Sequence, residues 1–224
     1  GFASGPFQHM MAGLAYFSSL EGSLNTIDHR NTALSMLDFW ISARNLNGSA
    51  NEWYRNEQSF CATAFGLHAA CETLILLRDK MSSQQLEAFC IELSRSEQWL
   101  RERDNPLAAN QQVASCTGRY VLGTLLDDQT ISDWAERDLQ KVRSDLEKTG
   151  FLAEYGGPDV GYTLLSMDLL VAAHQAGLSV TEGPGPHGSP ALQSSSSRSP
   201  TCVGATGSRS EHGALVDRGV RSEE

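Results

Sequence analysis

The stretch Asn51-Glu52-Trp53-Tyr54-Arg55-Asn56-Glu57-Gln58, followed by the run from Phe60 to Leu77, decides the fold. Polar and aromatic residues pass straight into a segment that is apolar on nearly every side: Phe60, Cys61, Ala62, Ala64, Phe65, Leu67, Ala69, Ala70, Leu74, Ile75, Leu76 and Leu77. A helix of that kind has almost no face for water and must be enclosed by others. The same succession returns twice. Asn105 to Gln112 leads into Val113 to Leu126, and Glu154-Tyr155-Gly156-Gly157-Pro158-Asp159 leads into Tyr162 to Ala173. Phe60 to Val113 is 53 residues and Val113 to Tyr162 is 49. A period near fifty marks stacked helical hairpins. It also sets three polar clusters at the same end of three neighbouring helices.

The segments between these runs are helical in another way. Residues 82–101 carry Leu86, Phe89, Leu93 and Leu100 on one stripe with charges opposite, and Ser82 or Ser83 supplies the cap. Thr130-Ile131-Ser132-Asp133 opens a charged helix that runs to about Lys148 and stops at Gly150. Residues 7–20 and 26–44 are also apolar at three- and four-residue steps, and Asn47-Gly48 reverses the chain after them. The expected order is therefore inner, outer, inner, outer, inner, outer, inner. No apolar alternation supports a sheet. This describes an all-α protein, an incomplete α/α toroid in which about seven antiparallel helices alternate between two layers. A closed ring of six hairpins needs twelve helices. The reading therefore expects an open arc, a homo-oligomer or partner that completes it, or a longer natural protein.

The chain has 224 residues, 40% of them hydrophobic, with a net charge of −10. Residues 182–224 hold nine Ser, seven Gly and four Pro and bury too little to offset their ordering entropy. The expected division is a helical domain over 1–181 and a disordered tail over 182–224. The tail's composition resembles GC-rich DNA read out of frame, so the reading expects a non-native tail in place of further helical hairpins. The tail's four Arg and five acids leave residues 1–181 at −9. That balance disfavours nucleic acid and anionic membranes, which need clustered Lys and Arg. Cys61, Cys71, Cys90, Cys116 and Cys202 form no zinc-finger pattern, and four lie within helices as small hydrophobes. No charged leader precedes an apolar core, and no apolar run reaches the ~18 residues of a membrane span. A reduced, cytoplasmic setting is expected, with no cofactor and no metal: His9, His68 and His174 stand far apart.

Residues just ahead of the inner helices are the candidates for chemistry. Glu57 and Asp159 stand at comparable places in two repeats, and a carboxylate pair across a cleft is what glycoside hydrolysis uses. The plainer reading makes them helix-start acids that favour the dipole. Tyr54, Tyr155 and Tyr162 can serve as acid or base in β-elimination of uronic-acid polymers, or stack on sugar rings, or simply edge the core. Trp53 reads as a sugar platform or as a lid. Asn56 and Asn110 can bind a carboxylate or hydroxyl, and equally can act as N-caps. Arg55, better placed than Arg119, can offset a substrate's negative charge. Asp127-Asp128 lacks the third Asp of a diphosphate-binding motif.

The stretches 51–65, Asn110-Gln111-Gln112-Val113-Ala114 and Glu154 to Tyr162 resemble those of bacterial α/α-toroid proteins related to the heparinase II/III-like polysaccharide lyases. The likeness spans about residues 7–177. It implies a cleft for a polysaccharide or oligosaccharide at the polar mouth, with lyase-like chemistry. In that case Tyr155 or Tyr54 would be the acid and base, and Asn110 and Arg55 would neutralise a uronate carboxylate. A hydrolase using Glu57 and Asp159, and a non-catalytic module that binds a glycan or a protein, remain open beside it.

Overall fold

The computed structural model describes residues 5–20 and 28–178, and places seven α-helices among them. They are α1 (Gly5–Ser19), α2 (His29–Ala43), α3 (Phe60–Leu77), α4 (Ser83–Arg101), α5 (Ala109–Leu126), α6 (Gln129–Thr149) and α7 (Val160–Gln175). The expected tail lies outside the described residues. Each helix start has a local cause. Ser59 holds extended backbone and its Oγ accepts the Ala62 N–H at 3.1 Å, while Ser82 does the same for Gln85 at 3.2 Å. The start of α6 differs from expectation. Asp128, not Thr130, is its cap, and Asp128 Oδ1 accepts the Thr130 N–H at 2.9 Å. The reason is the reversal before it. Asp127 ends α5 in the left-handed region at φ 55°, so the next residue already has to open the new helix. At the other end of α6, Gly150 takes φ 77° as expected.

The seven helices read from the sequence are present, and their contacts set four of them in a row. α3 lies between α1 and α5, and α5 lies between α3 and α7. Behind this row, α2 packs on α1 and α3, α4 on α3 and α5, and α6 on α5. The row helices run the same way. Phe60 at the start of α3 reaches Trp99 near the end of α4, with ring centroids 6.4 Å apart, and Arg103 on the way to α5 covers that same Trp99. At the start of α7 its preceding segment meets Asn110, whereas a Cβ on Gly177 past its end would stand 3.5 Å from the Tyr120 hydroxyl. The starts of α3, α5 and α7 therefore share one end of the molecule.

Close approach of the row helices depends on a missing side chain. Gly118 of α5 faces α3, and a Cβ there would lie 2.8 Å from the backbone nitrogen of His68. Next to it, Thr117 Oγ1 and His68 Nδ1 stand 2.9 Å apart, which satisfies both in a buried place. Leu37, Leu67, Leu74, Leu77, Leu93, Leu100 and Leu122 are fully buried around this seam. Each contributes roughly 1.5–3 kcal/mol by leaving water. Residues Phe60–Lys80 do have the length and mean hydropathy (1.6) of a membrane span, contrary to the expectation that no run reaches it. Yet 72% of that window is buried against neighbouring helices, as befits the central member of a row. Cys71, Cys90 and Cys116 are buried free thiols, and burial pushes the Cys116 thiol up to about 12.

Two short strands, β1 (Ala153–Glu154) and β2 (Gly157–Pro158), pair antiparallel ahead of α7, Ala153 opposite Pro158 and Glu154 opposite Gly157. The sequence reading expected none. Two residues per strand leave no alternation to detect.

Candidate functional site

The polar cluster before α3 is a tied loop. Ala50 and Ser59 form an isolated antiparallel bridge, with the Ser59 N–H donating to the Ala50 carbonyl at 2.9 Å. The Ala50 N–H donates to Thr63 Oγ1 at 2.8 Å. Between these anchors the chain bulges outward. Glu57 Oε2 accepts the N–H groups of Glu52 and Trp53 at 2.7 and 2.8 Å, so this carboxylate closes the loop upon itself. Asn56 sits in the left-handed region at φ 61° and Gln58 at 56°; Asn56 is not a cap, because Ser59 holds that place. Trp53 is left 75% exposed, and Tyr54 and Arg55 are exposed beside it.

The other two clusters meet. Ala108 and Glu154 form an antiparallel bridge, and the Tyr155 N–H donates to the Leu107 carbonyl at 2.6 Å. Glu154 Oε1 accepts the Asn110 N–H at 2.7 Å. The β1–β2 hairpin is thus clamped onto the first turn of α5, where free N–H groups and the positive dipole end favour an acceptor. Asn110 does not cap α5; Ala108 occupies that position without a side-chain bond, and Asn110 is buried. Its Oδ1, and the Oε2 of Glu154, are buried without a hydrogen-bond partner among the described residues. Two such oxygens together mark a place where donors are missing.

Glu154 is the residue that sequence reading passed over. It stood inside the quoted motif, but one acid ahead of a tyrosine carries no signal. Burial pushes its carboxyl above the ordinary range, and the Asp159 charge adds to this, while the Asn110 N–H pulls the other way. Asp159 itself caps α7, accepting the Tyr162 N–H at 2.8 Å. Tyr155, next to Glu154, holds φ 52°, a conformation rare for a bulky side chain, and its ring is 69% exposed. Tyr162 is also exposed, one turn into α7. Asn110, Tyr155, Asp159 and Tyr162 are therefore gathered with Glu154, whereas Trp53, Tyr54, Arg55, Asn56 and Glu57 lie together on the loop before α3. Among the described residues no group of three His, Cys, Asp or Glu could hold a metal ion.

A concave feature lies beside these residues. A cavity of about 510 Å³ opens between the end of α4, α5, α6 and residues 151–153, and none of the nine candidates lines it. Arg119 is one of its walls and is 1% exposed. Arg119 Nη1 donates to Asp138 Oδ2 at 2.8 Å, and its Nε stands 3.4 Å from Glu97 Oε1. Burial raises the Glu97 carboxyl, against the pull of Arg101 and Arg119. Burial works the same way on Asp138, but there the hydrogen bonds from Arg119 and Lys141 win and hold it low. Arg119 is thus a buried structural cation, not a group offered to the mouth. Comparison with protein-family models, curated proteins and solved structures finds no match to this chain.

Proposed function

We propose that the shared end of α3, α5 and α7 is a carbohydrate-binding mouth on an α/α arc, with a polysaccharide or oligosaccharide as its ligand. One observation carries this reading. Tyr155 holds left-handed backbone and stands exposed next to Glu154, whose Oε2, like Asn110 Oδ1, is buried without a hydrogen-bond partner among the described residues. The two-residue turn between β1 and β2 requires this backbone, with Gly156 at φ 93° beside it, and the turn presents Tyr155 to solvent. An exposed ring stacks on the apolar face of a sugar. Trp53 and Tyr54 offer further platforms on the neighbouring loop. The alternation of α1, α3, α5 and α7 with α2, α4 and α6 is what an arc of a toroid requires. α7 leaves Val160, Leu164, Met167 and Val171 exposed along one stripe, the face on which a second copy or a partner would continue the ring.

The catalytic form of this reading is β-elimination of a uronate polymer. A tyrosine, Tyr155 or Tyr54, takes the proton beside the carboxylate as its phenolate and returns it to the leaving oxygen as that bond breaks, so that a carbon–carbon double bond and a free hydroxyl form. Asn110 and Arg55 would hold the carboxylate. A hydrolytic form would draw on Glu57 and Asp159, each of which gives one oxygen to backbone N–H groups, or on Glu154 as the acid, since burial keeps it protonated to higher pH. Electrophoresis through gels containing polygalacturonate, alginate or hyaluronan tests binding. Retardation by one of them, lost in Trp53→Ala and Tyr155→Ala, is the expected result. New ultraviolet absorbance from an unsaturated product identifies a lyase, and reducing ends without it identify a hydrolase. Mobility unchanged in every polymer would sink the carbohydrate reading.

A further inference from the structure

The cavity beside Arg119 adjoins the mouth, since Pro106, Ala109, Gln112 and Ala153 line it, but it holds none of the candidate residues and has a chemistry of its own. Arg119 is buried, and after its contacts with Asp138 and Glu97 its Nη2 has no acceptor among the described residues. A guanidinium edge left without an acceptor in a buried place is costly, on the order of 1–3 kcal/mol for the group. The other cations on the wall are also under-used. Arg103 stacks over Trp99 at 4.4 Å and donates from Nη1 to the Trp99 carbonyl at 2.8 Å. Arg101 stacks over Trp134 at 4.1 Å and approaches Glu97 only to 3.8 Å. Asp138 gives one oxygen to Arg119 and the other to Lys141. Glu97 Oε1 and Arg119 Nη2 are each left without a hydrogen-bond partner among the described residues, and the Nη2 donor is the one that a ligand's carboxylate would satisfy. Across the cavity stand Val142, Leu146, Phe151 and Leu152, an apolar wall.

We propose that this cavity binds a small organic monocarboxylate. Its carboxylate lies against Arg119 Nη2 and the Arg103 guanidinium, and its apolar body lies against Val142 and Phe151. The volume, about 510 Å³, is that of a site for a small molecule. The planar guanidinium fork matches two carboxylate oxygens at once. A dianion such as phosphate fits less well, because Glu102, Asp104, Asp138 and Asp145 share the wall and the whole chain carries −10.

The test is calorimetric titration of the full chain with phenylacetate, alongside tryptophan fluorescence, since Trp99 lies under Arg103, which the ligand would draw on. Saturable one-to-one binding is expected, with a fluorescence change that tracks it. Because Arg119 variants risk the fold, Arg103→Ala carries the test, and it should weaken binding by about tenfold with the circular dichroism unchanged. The proposal is overturned by any of four results: no saturation up to about 50 mM, equal binding of the neutral 2-phenylethanol, unaltered affinity in Arg103→Ala, or tighter binding of inorganic phosphate than of phenylacetate.

Discussion

Glu154 and Arg119 are the two charged side chains whose roles were set by burial and not by their neighbours in sequence. Glu154 titrates with a defined sign. Its unfolded value is near 4.3, and its folded value lies above that. In the interval the native state holds more protons than the unfolded chain, so stability falls as pH rises through it. Glu154→Gln keeps an oxygen for the Asn110 N–H and removes the charge. Urea denaturation from about pH 4 to pH 7 should therefore show the variant gaining on the parent as pH rises; a constant difference would contradict this. Tyr155→Gly separates strain from use. Stability should hold, or rise by up to about 1 kcal/mol, as the left-handed backbone is relieved, while retention on uronate polymers is lost. Arg119→Met leaves Glu97 and Asp138 facing a buried gap, and should cost about 3 kcal/mol in urea unfolding.

At the scale of the element, the helix starts and the glycine contact are the points to probe. Asp159 caps α7, so Asp159→Ala should lower stability by about 1 kcal/mol while Asp159→Asn keeps most of it. If Asp159 instead acts only in chemistry, Asn and Ala will be equally stable. Gly118→Ala would drive a methyl against the His68 backbone, which cannot swing aside as a side chain would. A loss of roughly 1–3 kcal/mol in thermal or urea unfolding is expected. The bounds of α3, α4 and α5 were legible because Ser59, Ser82 and the apolar runs are local signals. The start of α6 was misplaced by two residues because Asp127 takes left-handed backbone, a choice that the close packing of α5 on α6 imposes from outside the segment.

Across the whole molecule, three parallel helices bring their polar starts to one end, and that convergence followed from the fifty-residue period before any contact was known. What surrounds those starts did not follow. The hairpin over 153–158 folds back onto α5 and shields Glu154 and Asn110, which no periodicity foretells. The open stripe on α7 makes a further prediction. If a second copy covers it, sedimentation velocity will show concentration-dependent association, and Leu164→Glu will return the chain to monomer. Sedimentation as a monomer at all concentrations would leave that face to a different partner.

The sequence by itself determined the seven-helix alternation and the enclosure of α3, because hydrophobic periodicity and capping act within a few residues of each other. Only the tertiary structure decided that Glu57 and Asp159 each give one oxygen to backbone N–H groups, that Asn110 is buried rather than a cap, and that Arg119 lines a cavity. Those outcomes depend on which distant groups come within about 3 Å. Such distances are set by the packing of one helix on another, and the order of residues along the chain does not encode them locally.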